Sequence, residues 1–173
     1  MKLKNWILSL LMLATSVGAF AQNGQNGQKA EPPYKRTPIL PDLYLIQVDS
    51  TVFTTADLRK QQPTLIFFFS PSCDHCQKQW AEMEKNKDKF KDIQIIMATY
   101  QPFDEMVYFY QKHEIGTKWP NVRLGRDVNF KLPPYYQMQG IPYQALYDSR
   151  GKLITTFESN VPISKVLDAF AGK

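Results

Sequence analysis

The stretch Phe67-Phe68-Phe69-Ser70-Pro71-Ser72-Cys73-Asp74-His75-Cys76-Gln77-Lys78-Gln79-Trp80 decides how this chain reads. With Leu65 and Ile66 before it, residues 65–69 form an unbroken apolar run, the mark of a short strand buried on both faces. Ser70-Pro71-Ser72 ends that run. Helical spacing begins at once, with Cys73, Cys76, Trp80, Met83 and Lys87 on one stripe. Two cysteines three apart therefore open a helix that follows a buried strand. The unpaired amides and positive dipole end of a helix favour an anion there, and hence the Cys73 thiolate. Cys76, one turn on, is placed to close a small disulfide ring. The pattern predicts a redox dithiol.

Residues 1–21 carry the three parts of an export signal. Lys2 and Lys4 form the basic start, residues 6–17 the mostly apolar middle, and Ala19-Phe20-Ala21 a small-x-small cleavage site. The protein is thus expected to be periplasmic or otherwise exported, with a membrane tether only if that segment stays uncleaved. In an oxidising compartment a lone cysteine pair is usually a structural disulfide. A bridge across two residues, however, closes too small a loop to constrain the unfolded chain much. Its use is chemical. The formal charge of +5 falls to about +3 without Lys2 and Lys4, and Glu82, Glu84 and Asp88 are interspersed with Lys85, Lys87 and Lys89. No concentrated basic face remains, which excludes nucleic acid as a partner.

Residues 22–38 are rich in Gln, Asn, Gly and Pro with little to bury, and read as a flexible linker. Residues 43–48 are a strand candidate with Val52-Phe53 as its hairpin partner, and Thr54 or Thr55 is placed to cap a short helix through Lys60. After the strand at 64–69, the cysteine helix is expected to run to about Lys89. A second buried strand at 93–98 is parallel to the first if that helix is a crossover. A helix over 103–115 is expected to end at Gly116, residues 122–124 make a short strand at best, and Pro133-Pro134 interrupt a turn of helix in 130–138. Residues 143–147 and 152–157 form a hairpin about Asp148-Ser149-Arg150-Gly151, and 162–170 a closing helix. The whole is an α/β domain over 39–173 with a mixed central sheet covered on both faces.

These residues resemble a known family. A buried strand, Cys-x-x-Cys at a helix start, and a later Ile141-Pro142 before a β-hairpin look like the thioredoxin fold. The exported cysteine pair, the extra N-terminal strands and Gly140-Ile141-Pro142…Asp148-x-x-Gly151 make the chain similar to the TlpA/ResA-like branch of exported thiol–disulfide oxidoreductases. The resemblance implies an enzyme that exchanges disulfides with protein thiols or disulfides and a redox partner, and that needs no cofactor and no metal. Cys73 would be the attacking thiol, Cys76 the resolving thiol, and Pro142 a cis-proline against the dithiol. Ile141 would present its backbone to an extended substrate segment.

The sequence departs from that pattern in places. Ser72 stands where Trp is common before the first cysteine, Gln79 where a carboxylate is often found, and Phe67 at the interior acid of cytoplasmic thioredoxins. The proton carrier for the resolving thiol is therefore unassigned, with Glu82 or water as candidates. His75 between the cysteines supports the Cys73 thiolate and Asp74 opposes it. This places the pair between cytoplasmic thioredoxin and the strongest oxidants, a direction taken from the known behaviour of such motifs. His113 reads as a solvent-facing helix residue. The aromatics at 108–110 and 135–136 read as packing. Two alternatives use the same residues. One is a copper(I)-binding assembly factor with Cys73, Cys76 and His75 or His113 as soft donors. The other is a peroxiredoxin-like peroxidase, whose P-x-x-x-[TS]-x-x-C pattern meets Ser70 and Cys73 but finds Ile66 in the proline position.

Overall fold

Strand β3 (Thr64–Phe68) is buried at every position, because it is hydrogen-bonded on both sides and covered above and below. In this computed structural model, which describes residues 31–173, β3 pairs in parallel with β4 (Gln94–Thr99) and antiparallel with β6 (Tyr143–Tyr147). Around it the described residues build one mixed sheet of seven strands. Its remaining members are β1 (Tyr44–Gln47), β2 (Val52–Thr54), β5 (Val122–Arg126) and β7 (Leu153–Glu158), in the order β2-β1-β5-β4-β3-β6-β7. The N-terminal hairpin β1–β2 lies at one edge and β6–β7 at the other. The export signal read at 1–21 and most of the linker read at 22–38 lie outside the described residues.

Helix α2 (Asp74–Lys85) crosses from β3 to β4, and α3 (Phe103–Lys112) with α4 (Ile115–Lys118) crosses from β4 to β5. Both crossovers step the same way along the sheet. Right-handed connections therefore put all three helices on one face. There Trp80 and Met83 meet Phe109, Trp119, Leu65, Phe67 and Met97, joined by Ile163 and Val166 of α6 (Ile163–Phe170). On the other face α5 (Leu132–Tyr136) and α1 (Pro33–Arg36) lie over Ile66, Phe68, Ile96 and Ala145. Here Tyr136 and Tyr147 share a buried 2.6 Å hydroxyl–hydroxyl hydrogen bond, which satisfies two groups that would otherwise be costly to bury.

Several local expectations are corrected. The tether does not stay featureless to Pro38, since Pro33–Arg36 form a turn of helix whose Tyr34 packs on Tyr136, and the Pro38 carbonyl accepts from the Leu153 amide. The helix expected to reach Lys60 is one 3-10 turn, Thr55–Asp57, closed by a capping box from Thr54. Helix α2 stops at Lys85 rather than Lys89, and Lys87–Phe90 continue as a 3-10 turn, which leaves Lys87 off the buried stripe and exposed. Gly116 ends no helix and sits inside α4, while the left-handed residue between the helices is Glu114 at φ 49°. Pro133 and Pro134 open α5 instead of interrupting it, where their missing amides have no intrahelical role. The segment at 122–124 is longer than expected, a five-residue interior strand between β4 and β1.

Gly125 makes that last strand fit. A Cβ there would lie 2.8 Å from the Leu45 Cβ and 3.2 Å from the Ile46 carbonyl oxygen, both on the neighbouring β1. Gly125→Ala should therefore destabilise the domain by about 1–3 kcal/mol through overpacking, read as a lower urea midpoint.

Candidate active site

Strand β3 delivers the chain to the site. The Phe69 amide still bonds to the Ala98 carbonyl, after which Ser70-Pro71-Ser72 turn the backbone, with Cys73 N–H donating to the Ser70 carbonyl at 3.2 Å. Ser70 and Ser72 hydroxyls lie 3.1 Å apart, and Gln77 Nε2 donates to the Pro71 carbonyl at 2.7 Å, so the turn is tied to the helix it precedes. Cys73 is the N-cap of α2. Its backbone is extended, its carbonyl accepts the Gln77 amide, and its Sγ accepts from the Cys76 N–H at 3.4 Å. A sulfur thus takes the role an Asp or Ser oxygen usually plays at a helix start.

The two thiols are free, and they differ in access. Cys73 is half-buried; Cys76 is fully enclosed among Phe69, Trp80 and their neighbours. Burial pushes the Cys76 thiol well above its ordinary range, and its hydrogen bond to Cys73 adds to the effect. Asp74 and His75 are both exposed on the first turn. The His75 carbonyl accepts from Asn160 Nδ2 at 2.8 Å, pinning the turn to the segment before α6.

The Ile141–Pro142 bond is cis. Tyr143 pairs with Phe68, so Pro142 stands one register step further, against Phe69 at the approach to the cysteine turn. Pro142 is buried and Ile141 half-buried. Sequence reasoning thus brought Cys73, Cys76 and Pro142 to one end of the sheet.

It did less well with the supporting groups. Glu82 is an exposed partner of Lys85 at 2.6 Å and faces solvent, away from the buried thiol. His113 is not solvent-facing: it packs on Phe109 with ring centroids 4.3 Å apart, stands edge-on to Trp80, and its Nδ1 lies 3.0 Å from Glu84 Oε1. Glu84 is eight residues beyond Cys76, about 12 Å along the helix, so His113 is no companion to the thiols. Among the described residues no three of His, Cys, Asp and Glu come together in a group able to hold a metal ion. What the sequence did not show is that Gln79, and Gln144 with it, would be buried amides. Gln79 and Gln144 are 1% and 0% exposed, and between them three side-chain polar atoms lack a protein partner. Each such atom costs on the order of 1–3 kcal/mol if nothing satisfies it.

A Cys-x-x-Cys helix start on a buried strand, with a cis-proline beside it, defines a thioredoxin-like redoxin. The AhpC/TSA family model matches residues 38–166, and the chain belongs to the AhpC/TSA family. A search of curated proteins gives no match. Among solved structures, StoA from Bacillus subtilis is similar over 76% of this chain and 98% of its own, with TM-score 0.59 and 13% identity. A secreted Mycobacterium tuberculosis disulfide oxidoreductase homologous to Escherichia coli DsbE covers 76% and 96%, with TM-score 0.62 and 14% identity. An exposed lipoprotein thioredoxin of Streptococcus pneumoniae covers 74% and 98%, with TM-score 0.57 and 20% identity. At these identities the likeness is one of fold.

The unequal access of the two sulfurs has a direct readout. Iodoacetamide at neutral pH should label Cys73 and leave Cys76 unmodified in the native protein, with both labelled in denaturant, as peptide mass spectrometry would show. Prior labelling of Cys76 would contradict this arrangement of the site.

Proposed function

We propose that this protein is an exported thiol–disulfide oxidoreductase that exchanges disulfides with protein partners through Cys73 and Cys76. One observation carries the reading: an accessible sulfur caps α2 while the second sulfur is sealed directly behind it. In the reducing direction, the Cys73 thiolate attacks a partner disulfide and expels one partner sulfur as thiolate. Cys76 then loses its proton and attacks Cys73 Sγ, breaking the mixed disulfide and releasing the second partner sulfur. Two electrons pass from the dithiol to the partner, and the enzyme ends with a Cys73–Cys76 bond. The reverse sequence oxidises a partner dithiol.

The partner's extended segment would add to the backbone at Ile141, beyond the end of β6, with Pro142 as the wall against the dithiol. Asp74 and His75, exposed beside Cys73, would meet the partner or adjust the charge around the attacking sulfur. Export rests on residues 1–21. Among the described residues no helix is long and apolar enough to cross a membrane.

The peroxidase alternative has less support. Its proline would fall at Ile66, in the middle of β3, where the residue pairs with Ile96 on one side and Ala145 on the other. A proline there removes a ladder donor from an interior strand. The copper(I) alternative is left with two thiols, since His113 lies elsewhere and His75 shows only its carbonyl engaged.

The purified domain should reduce insulin disulfides, and Cys73→Ser should abolish that activity. Cys76→Ser should accumulate a covalent mixed disulfide through Cys73, because attack survives and resolution does not. Trapping through Cys76 instead would reverse the roles, and full activity without either cysteine would end the proposal. The resolving step carries its own pH signature. A thiol held protonated by burial has a thiolate fraction that grows about tenfold per pH unit, so resolution should keep accelerating from pH 7 to 9. A plateau in the ordinary thiol range would show that Cys76 is not so buried in the mixed disulfide. For export, the full chain expressed in a bacterial host should be recovered outside the cytoplasm with its N-terminus at Gln22.

A further inference from the structure

Gln144 lies in the middle of β6, fully buried, and neither its Nε2 nor its Oε1 has a hydrogen-bond partner in the protein. Its strand neighbours Tyr143, Ala145 and Tyr147 belong to the α5 face, whereas Leu146 belongs to the α2 face. Alternation therefore points Gln144 at the α2 face, in a row with Pro142 and Leu146. That row stands opposite Phe69, Phe67 and Leu65 on β3, with Gln144 directly paired to Phe67.

Helix α2 joins two parallel strands and so runs back along them. Cys76 opens the helix at the Phe69–Pro142 end, and Met83, two turns on, belongs to the same buried cluster as Leu65 and Leu146. Gln79, one turn after Cys76, comes to the level of Phe67 and Gln144. Its side matters too. Trp80 turns toward Phe109 and Trp119, but Gln79 Oε1 accepts from the Val161 N–H at 2.8 Å, next to α6, which packs on β6 and β7. That bond fixes the amide's orientation and leaves a buried Nε2 without a protein partner. A donor on α2 and an acceptor and donor on β6 are thus buried on the same face of the sheet as the resolving thiol, without partners in the protein.

We propose that Gln79 and Gln144 hold a buried water molecule beneath Cys76, and that this water carries the proton of the resolving thiol. The inference rests on the thiol–disulfide exchange reading of the site. Gln79 Nε2 donates to the water and the water donates to Gln144 Oε1, leaving it able to accept from the Cys76 S–H. Three such partners are what a buried water ordinarily has. As Cys76 Sγ attacks Cys73 Sγ, its proton passes to the water and on to solvent. The Cys73–partner bond breaks and the partner sulfur leaves with the electron pair, to be protonated in solution. An amide neither gains nor loses the proton here. Both glutamines are positioning residues.

Ellman's reagent separates the two steps in one trace. Attack by Cys73 releases the first thionitrobenzoate, and resolution by Cys76 releases the second. Gln144→Met keeps the side chain's length and removes both polar atoms. It should leave the first release within about twofold of wild type and slow the second about tenfold or more. Gln79→Met should slow the second release similarly, and the double Met variant should be no slower than either single one, since all three lose the same water. If Gln144→Met does not fold, Gln79→Met carries the comparison. A second release at the wild-type rate, or equal slowing of both releases, overturns the proposal. A wild-type protein that releases no thionitrobenzoate overturns the dithiol reading itself.

Discussion

The hydrogen bond from the Cys76 amide to the Cys73 sulfur ties the fold to the chemistry. It requires a helix that begins at Cys73, which requires the chain to leave β3 at Phe69 and turn within three residues. Ser70 accepts the Cys73 amide to make that turn, and Gln77 reaches back to Pro71 to hold it. A sulfur anion accepts a stronger bond than a neutral sulfur does. The cap is therefore strongest when Cys73 is free and ionised, and weaker once its sulfur is shared with a partner.

Sheet position explains why the turn stays fixed. Strand β3 has partners on both sides and apolar cover on both faces, so sliding it by one residue would exchange two sets of core residues at once. Phe67 and Phe69 stack on one face while Phe68 meets Tyr100 on the other. Aromatics at consecutive positions give each face its own anchor. The end of the strand, and with it Cys73, is thus placed by packing spread over many residues, while the site itself holds few bonds.

The parts legible in the sequence were those where local pattern and tertiary context agree. An apolar run broken by Ser-Pro-Ser, a cysteine stripe at helical spacing, and a hairpin around Asp148 to Gly151 each have one physical reading. Other parts were decided by distant contacts. Strand β5 looked weak because Arg123 and Gly125 interrupt it, yet Gly125 is what lets β1 approach. The polar, proline-containing residues after Glu31 looked like linker, and they fold because Tyr34 finds Tyr136 and Pro38 finds Leu153. His113 carries no sequence sign that Trp80 and Glu84 will enclose it. Gln144 was the hardest. Nothing in Tyr-Gln-Ala-Leu-Tyr shows that α6 packs on β6 and that the amide is sealed in.

That sealed amide bears on how a site of this kind manages without an interior acid. The α2 face holds Phe67, Phe69, Trp80, Phe109 and Trp119, and an ionised carboxylate in such surroundings would be costly without a cation to pair with it. A carboxylate beneath Cys76 would also repel the thiolate formed during resolution. Amides avoid both costs because they carry no charge, and they still offer donors and an acceptor to a bound water. The same neutrality leaves burial as the first cause of the raised Cys76 pKa, ahead of its bond to Cys73. A buried thiol with neutral neighbours stays protonated until the mixed disulfide has formed, so Cys76 does not compete with Cys73 for the first attack. The division of labour between the two sulfurs then follows from how deeply each is placed, and α2 sets both depths through the single turn that separates them.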